Sequence, residues 1–235
     1  MEYIDNEQES VRKSLTGEKA KLSQMTFDKK IEYIFTYYRP HMLIVLLVLA
    51  AVGWFIHHQL TYVDYKLYGV VINSSQVDES IEDTLPAVLG MARHDGVSIV
   101  AGLSTDELVN AGTYYNKIDL FTVSDQMDFV FTDEAGVEYL CELGTPLDVT
   151  TELPEELYDI WADRVVAFSQ RNPNEDTYFD NYAAVDISGT GVQEYFGLDD
   201  DMRYLVIVDL SQNEEYMSSF YHLLYEIETR QTEGE

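Results

Sequence analysis

The sequence predicts an α/β domain carried on one transmembrane helix. Three observations predict it. An unbroken apolar run, MLIVLLVLAAVGWFI, fills Met42–Ile56. Beyond it, short apolar strand patterns alternate with helix patterns over residues 66–228. The composition is 46% hydrophobic and 13% aromatic, so the chain can bury a core despite a net charge of −29.

Composition also excludes function classes. Fourteen Lys and Arg stand against 43 Asp and Glu. That balance excludes a nucleic-acid partner, because phosphate contacts need clustered bases. A single cysteine excludes an intramolecular disulfide and a Cys-based zinc cluster.

The transmembrane span is read as residues 40–63, which carry no charge until Asp64. At ~1.5 Å per residue these reach ~36 Å, against a hydrocarbon core of ~30 Å. The anchor residues are Met42, Leu43, Ile44, Val45, Leu46, Leu47, Val48, Leu49, Trp54, Phe55 and Ile56. Ten residues of Met42–Ile56 are Leu, Ile, Val or Phe. Together they favour insertion by about 3 to 6 kcal/mol. Tyr37 and Tyr38 precede the span, and Trp54, His57, His58 and Tyr62 stand at its far end, as an interfacial aromatic belt requires. A buried core helix would keep a polar face over such a length.

Charge sets the direction. Lys29, Lys30 and Arg39 precede the span and only Lys66 closely follows it, so the N-terminus is expected in the cytoplasm. All of the net negative charge then belongs to the outer part. A cleaved signal peptide fits poorly, because the segment before the apolar run is about forty residues long and no A-x-A-like site follows it. The expectation is an uncleaved signal anchor in the cell membrane, with the C-terminal domain extracellular.

On the cytoplasmic side, residues 1–25 read as a flexible tail of mixed charge. Residues 26–39 read as an amphipathic juxtamembrane helix. Phe27, Ile31, Ile34, Phe35 and Tyr38 recur at helical spacing, with Tyr37 beside them. Thr26 can cap this helix and Asp28 suits its first turn. Lys29 and Lys30 suit anionic headgroups, and Arg39 marks the water boundary. The alternative is a plain extension of the span, which Pro40 disfavours.

In the outer part, strands are expected at 67–73, 97–103, 127–133, 164–170, 182–188 and 203–210, where apolar and β-branched residues cluster. Helices are expected at 78–93, weakened by Pro86 and Gly90, and at 134–143, ended by Gly144. Pro154 opens a short helix over 155–161, and one helical turn follows at 191–196. Ser104-Thr-Asp-Glu107 and Ser211-Gln-Asn-Glu214 have capping-box spacing, so a helix should follow each. The second helix carries Met217, Phe220, Tyr221 and Leu224 on one face. Residues 229–235 read as a polar tail. Such alternation implies one α/β domain with a mixed or mostly parallel sheet.

Two stretches carry a resemblance. TFDKKIEYIFTYYRPHMLIVLLVLAAVGWFI resembles the opening of uncharacterised single-pass membrane proteins of Gram-positive Clostridia, through Tyr37, Tyr38, Arg39 and His41. Residues 127–157, with Met127–Asp133, Gly144, Leu147 and Asp148, are similar to a segment of extracellular solute-binding proteins. RYLVIVDLSQNEEYMSSFYHLLYEI looks like a late strand and helix of the same proteins. The resemblance implies a fold similar to one solute-binding-protein lobe, and carries over no ligand-contact residue.

No catalytic signature occurs: no HExxH, GxSxG, P-loop or GxGxxG. No catalytic, cofactor-binding or metal-ligating residue is therefore assigned, and no cofactor is expected. Cys141 reads as a small core residue and His222 as a partly buried packing residue. Ser188-Gly-Thr-Gly191 could present backbone N–H groups to an anion, although a simple turn explains it. Asn172-x-Asn174-x-Asp176 and Asp199-Asp200-Asp201 supply oxygen atoms, but Thr177 and Ala183 stand where a calcium loop needs Gly and Glu. The expected partners are membrane lipid and a protein or small-molecule ligand outside the cell. Three functions are carried forward: a non-enzymatic anchored binding protein, an accessory subunit of a membrane complex, and a hydrolase.

Overall fold

A computed structural model describes residues 26–37, 39–78, 80–106, 117–208 and 214–233. The chain divides into two compact units, Met1–Tyr62 and Val63–Glu235.

The first unit contains two helices, α1 (Phe27–Tyr37) and α2 (Arg39–Thr61). Tyr38 and residues 1–25 lie outside the described residues. α1 starts one residue after the expected cap, and Phe27, Ile31 and Phe35 of its apolar stripe are exposed. α2 has 23 residues and none of them is buried. It is long and apolar enough to cross a membrane. At successive turns Trp54 stacks on His58 with ring centroids 5.6 Å apart, and Tyr62 meets His58 edge-on at 6.0 Å. His58 therefore belongs to an aromatic ladder at the end of α2, while His57 Nδ1 lies 3.5 Å from Thr61 Oγ1.

The second unit is a three-layer α/β domain. Its six strands are β1 (Asp64–Ile72), β2 (Asp95–Leu103), β3 (Phe129–Thr132), β4 (Val165–Asn172), β5 (Thr177–Asp186) and β6 (Tyr204–Ile207). They lie in the order β2-β1-β3-β6-β5-β4. β1 is parallel to β2 and β3, while the pairs β3–β6, β6–β5 and β5–β4 are antiparallel. The sheet is mixed, not mostly parallel, because β4 and β5 form a hairpin and β6 returns between β3 and β5.

The helices are α3 (Ser80–Val88), α4 (Lys117–Val123), α5 (Glu134–Leu143), α6 (Val149–Glu152), α7 (Glu155–Trp161), α8 (Gly191–Tyr195) and α9 (Glu214–Glu233). α3, α6, α7, α8 and α9 cover one face of the sheet, packing on Leu67, Val71, Phe129, Phe131, Leu205 and Ile207. α4 and α5 cover the other, over Val70, Ile72, Val130 and Val206. Alternate residues of each central strand thus enter opposite cores, which explains their continuous apolar runs. On the first face Phe129 stacks on Phe220 at 4.3 Å and meets Phe131 edge-on at 5.6 Å. Gly69, paired with Phe129 across β1 and β3, leaves room for that ring.

Local chemistry explains the helix ends. Asp133 caps α5 by accepting the Gly136 N–H, and Gly144 closes it at φ +73°. Asp148 caps α6 in the same way. Several expectations change. α3 stops at Val88, after which Gly90 adopts φ +67°. α4 and α6 were not foreseen. Both capping boxes run into residues outside the described ones, 107–116 and 209–213. The expected polar tail is helical as far as Glu233, an extension of α9.

Candidate functional site

Two places in the second unit gather polar groups. The first is the carboxyl end of the parallel strands. α3, linking β1 to β2, packs on one face, and α4, on the way from β2 to β3, packs on the other. β1 and β3 therefore flank a topological switch point, where open α/β sheets bind ligands. Asn73 follows β1 and Asp133 follows β3. Asn73 Nδ2 donates to Asp133 Oδ1 at 2.8 Å, and Asn73 Oδ1 accepts the Thr105 N–H at 2.8 Å. Asn73 holds φ +66°, a conformation that asparagine tolerates better than most residues. Ser74 Oγ donates to Asp199. These groups satisfy one another and tie three strand ends to the loop before β6.

The second place is a cavity of about 280 Å³ lined by Ile160, Trp161, Arg164, Gly189, Thr190, Glu228 and Gln231. Three separate stretches build it: the end of α7 with the turn after it, the loop before α8, and the last turns of α9. Glu228 is buried, on the same face of α9 as Met217, Tyr221 and Leu224. Its Oε1 accepts the Val192 N–H at 3.1 Å. Burial lifts its carboxyl above the ordinary range, opposed by Val192, Thr190, the Arg164 charge and the Trp161 indole. Trp161 is fully buried, with its indole beside the Glu228 carboxyl. Arg164 Nη1 donates to the carbonyls of Asp186 and Ser188 at 3.2 and 3.0 Å. Gly189, at φ +67°, has open space where a side chain would stand. A wider groove of about 840 Å³ on the neighbouring side of α9 is lined by Val88, Tyr195, Leu223 and Ile227. There Arg230 and Glu226 pair with each other at 2.9 Å.

The other sequence candidates have definite places. Cys141 is fully buried on α5, and burial pushes its thiol up to about 11, with Glu142 and Glu138 adding. His222 is not partly buried as expected. Its side chain is 71% exposed, because it lies outside the Met217–Leu224 stripe, and it faces Glu226. The Ser188–Gly191 loop presents its N–H groups to the protein itself: Gly189 N donates to Gln193 Oε1, and Glu228 takes Val192. Asn172 Oδ1 accepts the Asn174 N–H, and Asp176 pairs with Arg171 at 2.8 Å. Among the described residues no group of three or more His, Cys, Asp or Glu is placed to hold a metal.

Sequence reasoning missed Asn73, Asp133, Trp161, Arg164 and Glu228. A signal existed for two of them. Asp133 stands at a strand-to-helix junction, where N-caps occur. Glu228 continues the spacing Met217, Tyr221, Leu224 by four residues, which places it on the buried face. Compared with known protein families, curated proteins and solved structures, the chain matches none of them.

Proposed function

We propose that the chain is a single-pass membrane protein that displays an acidic α/β domain outside the cell and binds a ligand or protein partner there without catalysis. The observation that carries the reading is α2, whose 23 residues include no buried one. An apolar helix fully exposed to water would be unfavourable, and a bilayer removes that cost. The bases before the span orient it with the N-terminus inside. The excess of acid keeps the outer domain soluble and repels anionic surfaces. The domain offers two places for a ligand, the switch point and the cavity beside Trp161. Its likeness to a solute-binding lobe belongs to the same proposal.

A second reading has its own observation. Phe27, Ile31 and Phe35 leave an exposed apolar stripe on α1. Such a stripe suits the membrane interface or a neighbouring membrane subunit, in which case the chain acts as an accessory subunit. Membrane fractionation of the full chain tests the first reading. The chain should stay with membranes through alkaline carbonate and leave only with detergent. Release by carbonate alone contradicts it. Replacing α2 by an unrelated apolar span should leave ligand or partner binding intact. Loss of binding on that exchange favours the accessory-subunit reading.

A further inference from the structure

We infer that the groove along the exposed side of α9 docks an amphipathic helix of a protein partner, apolar on the side it presents and flanked there by lysines or arginines. The inference rests on the partner-binding reading above and supplies the partner's chemistry.

The sequence of α9 builds the groove. Met217, Phe220, Tyr221 and Leu224 occupy the stripe that enters the core. Two further rows run beside it. Glu215, Ser219, Leu223, Ile227 and Gln231 recur at spacing four, and so do Ser218, His222, Glu226 and Arg230. Residues at that spacing form ridges on a helix surface. These rows supply the α9 side of two hollows, of about 840 and 600 Å³. The end of α3 walls both hollows on the other side, and α8 walls the first. Val88 lines both, so they join beneath its side chain, which is 54% exposed. From Glu215 to Gln231 the groove follows α9 for about 24 Å, the length of a helix of about sixteen residues.

Shape selects a helix. The floor is apolar, with Leu89 and Leu223 buried and Tyr195 and Ile227 partly buried. Gly90, Ser218 and Ser219 are small, so a second backbone can come close in the other hollow. All the walls are helices or their ends, and none offers a strand edge for main-chain pairing. The occupant must therefore pack side chains, as an amphipathic helix does with residues at i, i+3, i+4 and i+7.

Charge selects its flanks. Glu194 is exposed beside the first hollow and Glu215 beside the second. Arg230 is the one Lys or Arg among the described lining residues, and it is taken by Glu226 at 2.9 Å. Acid is left to be matched, and basic flanks match it. A second copy of the chain would bring the same rows with the same acid. An anionic lipid surface would be repelled.

The test uses a synthetic helix of about sixteen residues, with leucines on one face and lysines on the other, added to the full chain in nanodiscs of neutral phosphatidylcholine. Two control helices replace every lysine by glutamate or every leucine by alanine. Thermophoresis of the dye-labelled helices measures binding, with empty nanodiscs subtracted. A benzophenone on the leucine face maps the site by mass spectrometry. The lysine–leucine helix should bind about 10-fold or more tightly than either control, and should crosslink to α9 or to the ends of α3 and α8 that face it. Val88→Lys should weaken it about 10-fold or more. Glu194→Lys with Glu215→Lys should do the same and strengthen the glutamate–leucine helix, a reversal that unfolding would not produce. All three side chains are exposed, so both variants should keep the parent's melting temperature. Absence of binding above empty nanodiscs overturns the inference. So does equal binding by either control, crosslinking elsewhere, or binding that survives both variants. Two copies of the chain per nanodisc, with the helix excluded, would assign the groove to the chain itself and overturn the inference as well. Alkaline extraction of the same preparation keeps the two proposals apart. An anchored chain that binds no helix overturns this inference alone, whereas release by alkali overturns the anchoring.

Discussion

Replacing Gly69 by alanine should destabilise the α/β unit, through one aromatic ring. A Cβ at Gly69 would lie 2.4 Å from Cζ and 2.6 Å from Cε2 of Phe129. Ordinary contact between carbons needs roughly 3.5–4.0 Å, so the ring must move by about 1 Å. It has little freedom to do so. Phe129 is fully buried, stacked on Phe220 and flanked by Phe131 and Phe196. Overpacking of this kind costs about 1–3 kcal/mol. In a domain of this size each kcal/mol lowers the melting temperature by about 2–4 °C, so a fall of about 2–12 °C is expected. Differential scanning calorimetry of the full chain measures it. Phe129→Leu removes the ring, so the double variant should be more stable than the two single costs predict by at least about 0.5 kcal/mol. A Gly69→Ala variant that melts within about 1 °C of the parent refutes the reasoning, as does strict additivity. Either result would mean that Phe129 does not lie over Gly69, and the pairing that aligns the ends of β1 and β3 would fall with it.

Other predictions follow from the same structure. Leu46→Arg with Leu49→Arg should release the chain into the alkaline extract, because two central arginines cost about 5–7 kcal/mol against an insertion gain of about 3–6; continued membrane retention contradicts the span. Glu228 is predicted to make stability fall as pH rises from its unfolded value near 4.5 through its raised folded value, because the folded state binds the extra proton in that window. The melting temperature of the parent minus that of Glu228→Gln should therefore decline over that range, and a difference that rises with pH refutes the burial. Cys141, pushed up to about 11 by burial, should resist maleimide at pH 8 in the native chain and react fully in denaturant, as read by intact mass. Rapid native labelling would contradict its place in the core.

The sequence made legible whatever depends on local pattern. The long apolar helix α2, α5 with its Gly144 stop, α7 behind Pro154 and the apolar strands all announce themselves through runs, caps and breakers. Boundaries moved where tertiary contact decides, as at β1, which begins at Asp64 because its backbone N–H finds the His94 carbonyl. Strand direction was only partly legible. Nothing local tells that β6 returns between β3 and β5, because the choice depends on β3, whose pairing residues lie more than seventy positions away. The cavity was less legible still. Trp161, Thr190 and Glu228 meet only after three elements have packed, and no spacing in the chain connects them. Half of the signal for Glu228 was present in the α9 stripe. A charged residue at a stripe position reads as exposed until the structure gives it a partner such as the Val192 N–H.

The proposed sidedness of the chain tests the account most directly. With Cys141 replaced by alanine, a single cysteine can be placed at Ser10 or at exposed Asp200. Intact cells are then treated with a membrane-impermeant maleimide. The account predicts labelling of Asp200→Cys in intact cells, and of Ser10→Cys only after lysis. Labelling of Ser10→Cys in intact cells, with Asp200→Cys protected, would place the acidic domain in the cytoplasm and contradict the central claim.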